Sequence, residues 1–199
     1  MIDLFAASDG QTPLTDEEKE GLIPPAIATR GDLNLMEEAN IQEAREWAFR
    51  SGRSDILNDA FVRELHRRMF RDVWKWAGVY RKSIKNLGEP PEQIAVKVRE
   101  LCTDVHWWVE KSIYPWDEAA ARVHHRLVSI HPFSNGNGRH ARLFTDLFLE
   151  KMGAAPASWG AAKADSDHEK TQDLRNRYIS ALRAADKGEY PLLVQFIRS

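Results

Sequence analysis

The sequence predicts a mainly α-helical protein. Apolar residues recur at helical spacing in segment after segment, and turn-forming residues separate those segments. Only one stretch, Gly78 to Pro91, resists helix. The expected total is seven or eight helices and one short β-hairpin that serves as a flap.

Thr15-Asp16-Glu17-Glu18 reads as a helix start, a threonine cap followed by acids in the first turn. That helix must be short, because Gly21 and then Pro24-Pro25 stop it. Residues 1–14 before it are expected to be loosely held. A second helix is expected over Asp32 to Arg50, with Leu33, Met36, Ile41, Ala44 and Trp47 on its inner face. Ser51-Gly52 breaks the pattern. A third helix follows over about Asp55 to Trp74, with Ile56, Ala60, Phe61, Leu65, Met69 and Val73 facing inward.

Trp74 and Trp76 are expected to fill core. Val79 to Ile84 favours extended backbone, and Leu87-Gly88-Glu89-Pro90-Pro91 is turn chemistry. Helix resumes over about Pro91 to Ser112. The next helix, Asp117 to Ser129 with Asp117 as its cap, delivers the chain into His131. Gly138 to Met152 forms another, Gly153 to Gly160 is a loop, and helices over Ser166 to Asp186 and Leu192 to Ile197 close the chain.

Bulk properties bound the function. At 199 residues the chain suits one principal domain with an extension, and we expect the boundary after residue 54, giving 1–54 and 55–199. Hydrophobic residues make up 43% and charged residues 29%, the balance of a water-soluble globule. A net charge of −2 leaves no strong nucleic-acid footprint, so no nucleic-acid partner is expected. No apolar run approaches a bilayer span, and Met1 to Ala6 lacks the basic start of a signal peptide. The expectation is a cytoplasmic protein with no membrane partner. Cys102, the single cysteine, lies in an apolar-periodic stretch and reads as core.

The chemistry concentrates in His131-Pro132-Phe133-Ser134-Asn135-Gly136-Asn137-Gly138-Arg139-His140-Ala141-Arg142. Gly136 and Gly138 flank Asn137 and allow successive N–H groups to converge on an anion. The helix that follows adds its positive end. Arg139 and Arg142, three apart, lie near one another on its first turn and can grip a polyphosphate. His131 just ahead can take a proton at neutral pH. Phe133 is expected to face inward and pin the loop. A base beside a phosphate cradle points to phosphoryl or nucleotidyl transfer. From spacing alone, an ordinary glycine–asparagine turn with a structural histidine fits equally well. His124 and His125 read as structural, since no cysteine or carboxylate has metal-ligand spacing to them. His140 is placed on the solvent side.

These residues resemble the Fic family signature, His-x-Phe-x-Asp/Glu-Gly-Asn-Gly-Arg-x-x-Arg. His131, Phe133, Gly136, Asn137, Gly138, Arg139 and Arg142 match seven of its eight specified positions. Trp76-Ala77-Gly78-Val79-Tyr80-Arg81 is similar to the segment that leads into the flap of Fic domains. The resemblance covers about residues 60 to 198. Glu20-Gly21-Leu22-Ile23-Pro24 resembles the Fic subgroup called mobile mystery protein B.

The resemblance implies a helical Fic fold and transfer of AMP from ATP to a Ser, Thr or Tyr hydroxyl of a target protein, with pyrophosphate leaving. It implies that His131 deprotonates the hydroxyl. Gly136, Asn137 and Gly138 hold the α- and β-phosphates, with help from Arg139, and Arg142 binds the γ-phosphate. The flap, about Tyr80 to Glu92, pairs with the target protein. Asn135 stands where the family usually has an acid that binds Mg²⁺. A carboxamide brings no charge, so weaker binding of Mg²⁺ or Mn²⁺ is expected, with phosphates and water as the main ligands. Within the family, transfer of another nucleotide or phosphate-containing group, removal of AMP, or a weakly catalytic nucleotide-binding regulator are the alternatives. The family's inhibitory pattern, Ser/Thr-x-x-x-Glu-Gly/Asn, is approached at Glu20-Gly21, with Asp16 in the hydroxyl position. The expectation is that Glu20 pairs with Arg142 and obstructs the γ-phosphate.

Overall fold

A computed structural model describes residues 14–24, 27–50, 55–160 and 168–199. Residues 1–13, Pro25, the Ser51-Gly52 break and Ser166 lie outside these. The described residues form eight α-helices: α1 Asp16–Lys19, α2 Arg30–Arg50, α3 Asp59–Phe70, α4 Ile94–Glu110, α5 Trp116–Ile130, α6 Asn137–Lys151, α7 His168–Ala185 and α8 Pro191–Arg198. None is long and apolar enough to cross a membrane. The mainly α fold class is what the apolar spacing predicts.

α1 starts where the Thr15 signal places it. The Thr15 side chain accepts from the Glu18 N–H, and the Glu18 carboxylate accepts from the Thr15 N–H, a reciprocal capping box. α3 begins four residues later than expected, because Asn58 caps it by accepting from the Phe61 N–H at 2.8 Å. It ends at Phe70, and 71–74 turn instead of continuing. Asp117 is not a cap: α5 begins at Trp116, and the Asp117 carboxylate pairs with Arg198.

The centre of the molecule is α5 against α6. Ala119, Ala120 and Ala121 are buried small residues that let neighbouring helices approach closely. α6 buries nine residues, from Asn137 to Leu149, spread around its circumference. A helix buried on most sides belongs in the interior. α3 packs beside α6, α2 packs along α3, and α7 with α8 packs against α5, with Tyr178 of α7 reaching Arg142 of α6. α1 and the residues that follow it are docked on the body of the fold. Residues 21–23 run antiparallel beside 73–75, through Ile23 N–H to Val73 O at 2.9 Å and Lys75 N–H to Gly21 O at 2.8 Å. The Trp76 indole N–H donates to the Glu18 carbonyl at 3.0 Å.

The expected hairpin is absent. Residues 79–90 are non-helical, but among the described residues they form no ladder with one another. Their backbone is tied instead to the end of α5 and the turn after it. The Arg81 N–H donates to Pro132 O at 3.0 Å and the Glu89 N–H to Ile130 O at 3.2 Å. A buried arginine supplies the cross-links that a β-ladder would have supplied.

Candidate active site

The site grows from the end of α5. His131 closes that helix in the left-handed region, φ 52° and ψ 58°, with its N–H on Leu127 O at 3.2 Å. A non-glycine residue held there is uncommon and needs support from its surroundings. Arg81 supplies it. This side chain is 3% exposed, and its Nε donates to His131 O at 2.7 Å. Its two Nη groups donate to Ser83 O at 2.8 Å and Glu89 O at 2.6 Å. One guanidinium therefore fixes both the histidine backbone and the flap.

Phe133, two residues on, is fully buried. His66 of α3 stacks on it, with ring centroids 3.7 Å apart. The His66 Nδ1 accepts from the Gly78 N–H at 3.0 Å, which leaves the proton on Nε2 to donate to Asn135 O at 3.0 Å. Burial, with smaller contributions from His140 and Arg139, holds His66 well below the usual imidazole range, so this neutral tautomer persists. The Asn137 side chain braces the turn from inside. Its oxygen accepts from the Phe133 N–H at 2.9 Å, and its amide donates to Phe133 O at 2.8 Å.

Gly136 is the N-cap of α6 at φ 77°, and a Cβ there would lie 2.4 Å from the Phe70 ring. No side chain caps this end, and the first helical bond runs from His140 N–H to Gly136 O. The N–H groups of Asn137, Gly138 and Arg139 thus open the helix without an i−4 acceptor. That is the anion-binding geometry of a helix N-terminus. A Cβ on Gly138 would meet nothing nearer than the Tyr178 hydroxyl at 3.9 Å, so its lack of a side chain keeps open space in front of these donors.

A cavity of about 420 Å³ lies there. His131, Asn135, Gly136, Asn137, Gly138, Arg139 and Arg142 line it, so one space gathers them. Arg30 and Asn34 of α2 and Arg175 and Tyr178 of α7 complete the wall. Among the described residues, four arginines and no carboxylate face the cavity. Arg139 is partly neutralised by the buried Glu37 at 2.7 Å, which also accepts from the Trp74 indole at 2.7 Å. Arg142 differs. Its guanidinium lies 4.7 Å from the Tyr178 ring centroid, its buried Nε has no hydrogen-bond partner, and it forms no ion pair among the described residues. Burial, opposed by Arg142, pushes the Tyr178 phenol up to about 12, and His124 Nε2 pairs with it at 2.9 Å.

The His131 ring is buried. Burial, then Arg81, then Lys85, pushes its imidazole down to about 4. At neutral pH it is an uncharged base beside a cationic cavity. His140 is not on the solvent side: it is 1% exposed, with Nε2 on Val62 O at 2.9 Å. Helical position after a turn does not reveal that α6 enters the core. His124 and His125 are buried, and Cys102 is core, its thiol pushed up to about 12 by burial.

Glu20 does not reach Arg142. It is exposed at the end of α1 and makes no ion pair with Arg142 among the described residues. The acid that meets an arginine of the turn is Glu37, on Arg139, because α2 rather than α1 lies along the cavity.

The donor set does not fit a resident metal. No cluster of three or more His, Cys, Asp or Glu among the described residues could hold one. The Asn135 side-chain oxygen, the expected ligand, accepts from the Gly136 N–H at 2.6 Å.

Sequence reasoning missed His66, Glu37, Arg30, Arg175 and Tyr178. Arg81 was visible in the Trp-Ala-Gly-x-Tyr-Arg segment but not its fork. Arg175, Tyr178 and Ile179 form an i, i+3, i+4 stripe that could have marked one face of α7.

Residues 56–149 match the model of the Fic/DOC family. The protein adenylyltransferase fic-1 of Caenorhabditis briggsae is 28% identical over 143 residues, covering 68% of this chain and 25% of that protein. A uridine 5'-monophosphate transferase of Xanthomonas campestris is 55% identical over 40 residues, 20% of this chain and 8% of that one. The chain thus spans about a quarter or less of the length of these curated relatives. Among solved structures, the BepC effector of Bartonella tribocorum with bound AMPPNP has a similar fold. Its TM-score is 0.64 at 18% identity, covering 92% of this chain and 96% of that one.

Proposed function

From a chain whose residues 56–149 match the model of the Fic/DOC family, we propose protein adenylyl transfer. The substrate is ATP and the acceptor a Ser, Thr or Tyr hydroxyl of another protein. The observation that carries this reading is a neutral, buried His131 opening onto the same cavity as the unpaired N–H groups of α6. The adenylyltransferase relatives support it by name.

The acceptor oxygen attacks the α-phosphorus. A new O–P bond forms, the bond from that phosphorus to the α–β bridging oxygen breaks, and pyrophosphate leaves with the electron pair. The acceptor proton passes to the His131 imidazole. The N–H groups of Asn137, Gly138 and Arg139 face the charge that builds on the phosphate oxygens. Arg142, with no carboxylate partner among the described residues, suits the terminal phosphate. Mg²⁺ or Mn²⁺ belongs to this proposal only as a companion of the nucleotide's phosphates, because Asn135 brings no charge. The flap, about Tyr80 to Glu92, is the docking edge for the acceptor. Among the described residues the N–H groups of Lys82 and Ile84, on its exposed face, have no backbone partner, which suits strand addition. The likeness to mobile mystery protein B stays with this proposal and rests on Glu20 to Pro24.

Position-labelled ATP tests the reaction class. Label at the α-phosphate is expected on acceptor protein, and label at the γ-phosphate in free pyrophosphate. Protein carrying the γ-label would replace adenylyl with phosphoryl transfer. The uridylyl-transferring relative favours one second reading, UTP in place of ATP, and α-labelled UTP in parallel decides between them.

A further inference from the structure

The mechanism leaves one buried acid unused. Glu18 lies on α1, outside the cavity, yet its carboxylate joins the start of its own helix to the flap. Its Oε1 accepts from the Ser83 hydroxyl at 2.7 Å, and its Oε2 meets Lys85 Nζ at 2.5 Å. The Thr15 N–H donates to Oε2 at 2.8 Å. The carboxylate and the Lys85 side chain are 10% and 3% exposed, so this pair is withdrawn from water. Burial alone would raise the carboxyl. Lys85, Thr15, Ser83 and Ser134 together outweigh that and hold it below the usual range. It therefore stays ionised.

The flap backbone explains what this contact accomplishes. In an extended chain alternate side chains point to opposite faces. Ser83 and Lys85 turn toward Glu18, while Lys82, Ile84 and Asn86 are exposed, Ile84 at 85%. Arg81 anchors the base of the flap at Ser83 O and Glu89 O. At the side chains of its tip the anchor is Glu18, which holds Ser83 and Lys85. α1 itself cannot drift, because Gly21 packs on Trp76 and residues 21–23 pair with 73–75.

We propose that Glu18 is a positioning residue that latches the inner face of the flap and holds its outer edge extended for the acceptor polypeptide. The N-terminal segment is then part of the acceptor-docking apparatus. The latch stands on geometry alone, and its docking role rests on the transferase reading above. Losing the charge leaves Lys85 buried without its counter-ion, so the tip is released.

The test uses the full chain as wild type, Glu18→Gln, Lys85→Met and Lys85→Arg. Hydrogen exchange at residues 82–88 is expected to quicken about tenfold in Glu18→Gln and Lys85→Met, with α4 and α5 unchanged. Lys85→Arg, which keeps the charge pair, is expected to stay near wild type. Affinity for AMPPNP should hold within about twofold, because no nucleotide contact is lost. Transfer of α-label from ATP to the proteins of a lysate should fall about tenfold in the two releasing variants and recover in Lys85→Arg. Unchanged exchange at 82–88 in both releasing variants overturns the latch. Faster exchange with undiminished transfer overturns the docking role. If wild type transfers nothing, the transferase reading falls and takes the docking role with it, and exchange alone then judges the latch.

Discussion

Burial and the charges of Arg81 and Lys85 hold His131 uncharged at neutral pH, so it can accept a proton without first losing one. The two arginines of the turn divide by what they touch. Arg139 shares its charge with Glu37, and Arg142 keeps its own. Charge-assisted hydrogen bonds of this kind contribute about 1.5–3 kcal/mol. Arg142→Ala is therefore expected to weaken ATP binding about 10- to 100-fold by calorimetry. Arg139→Ala should cost less, and the reverse order would contradict the assignment. At this scale the sequence was legible where partners are neighbours. His131 to Arg142 are adjacent in the chain, and their glycine spacing marks the turn. His66 reaches Asn135 across 69 positions and Glu37 reaches Arg139 across 102, and no local pattern encodes either.

Among the elements, the flap shows most clearly how a local reading can be right about conformation and wrong about cause. Glycines, prolines and β-branched residues do exclude helix from 79–90, as the sequence predicts. The expected hairpin pairing is replaced by the Arg81 fork and by contacts with the end of α5. Gly88 records how close that approach is. It sits at φ 98°, and a Cβ would lie 2.6 Å from both the Arg81 Nη2 and the His131 Cβ. Gly88→Ala must shift the flap or the histidine. It is expected to cost about 2–4 kcal/mol of stability and to cut transfer at least about tenfold, with helical content retained. Melting curves together with transfer rates check this, and wild-type values for both would show that the flap is slack. Helix boundaries were legible to within a few residues where a cap was present. They drifted where the cap was not recognised, as at Asn58, or where a carboxylate serves a distant arginine, as at Asp117.

Across the whole molecule, His66, His124, His131 and His140 are all buried and held neutral. Burial lowers His66 well below its usual range, His124 to about 3, and His131 and His140 to about 4. In the unfolded chain each titrates near 6.5, so between there and the folded values the unfolded state binds more protons. Their contribution to stability is complete above pH 6.5 and is lost as pH falls toward 4. Each group adds up to about 1.4 kcal/mol per pH unit, and together they can exhaust a typical domain's stability within about two units. Urea unfolding at pH 7, 6 and 5 is expected to show a steep loss, whereas equal midpoints would mean these rings are not buried neutral. The mainly α fold was legible from apolar periodicity. The cationic cavity was not, because it forms only when α2 and α7 meet the α6 N-terminus.

In the proposed mechanism His131 takes the acceptor proton during transfer of AMP. Mass spectrometry of acceptor proteins after incubation with ATP, wild type beside His131→Ala, tests it most directly. AMP joined to Ser, Thr or Tyr hydroxyls is expected with wild type, and a loss of about 10²- to 10⁴-fold in the variant with AMPPNP affinity retained. Equal modification by both proteins would contradict it.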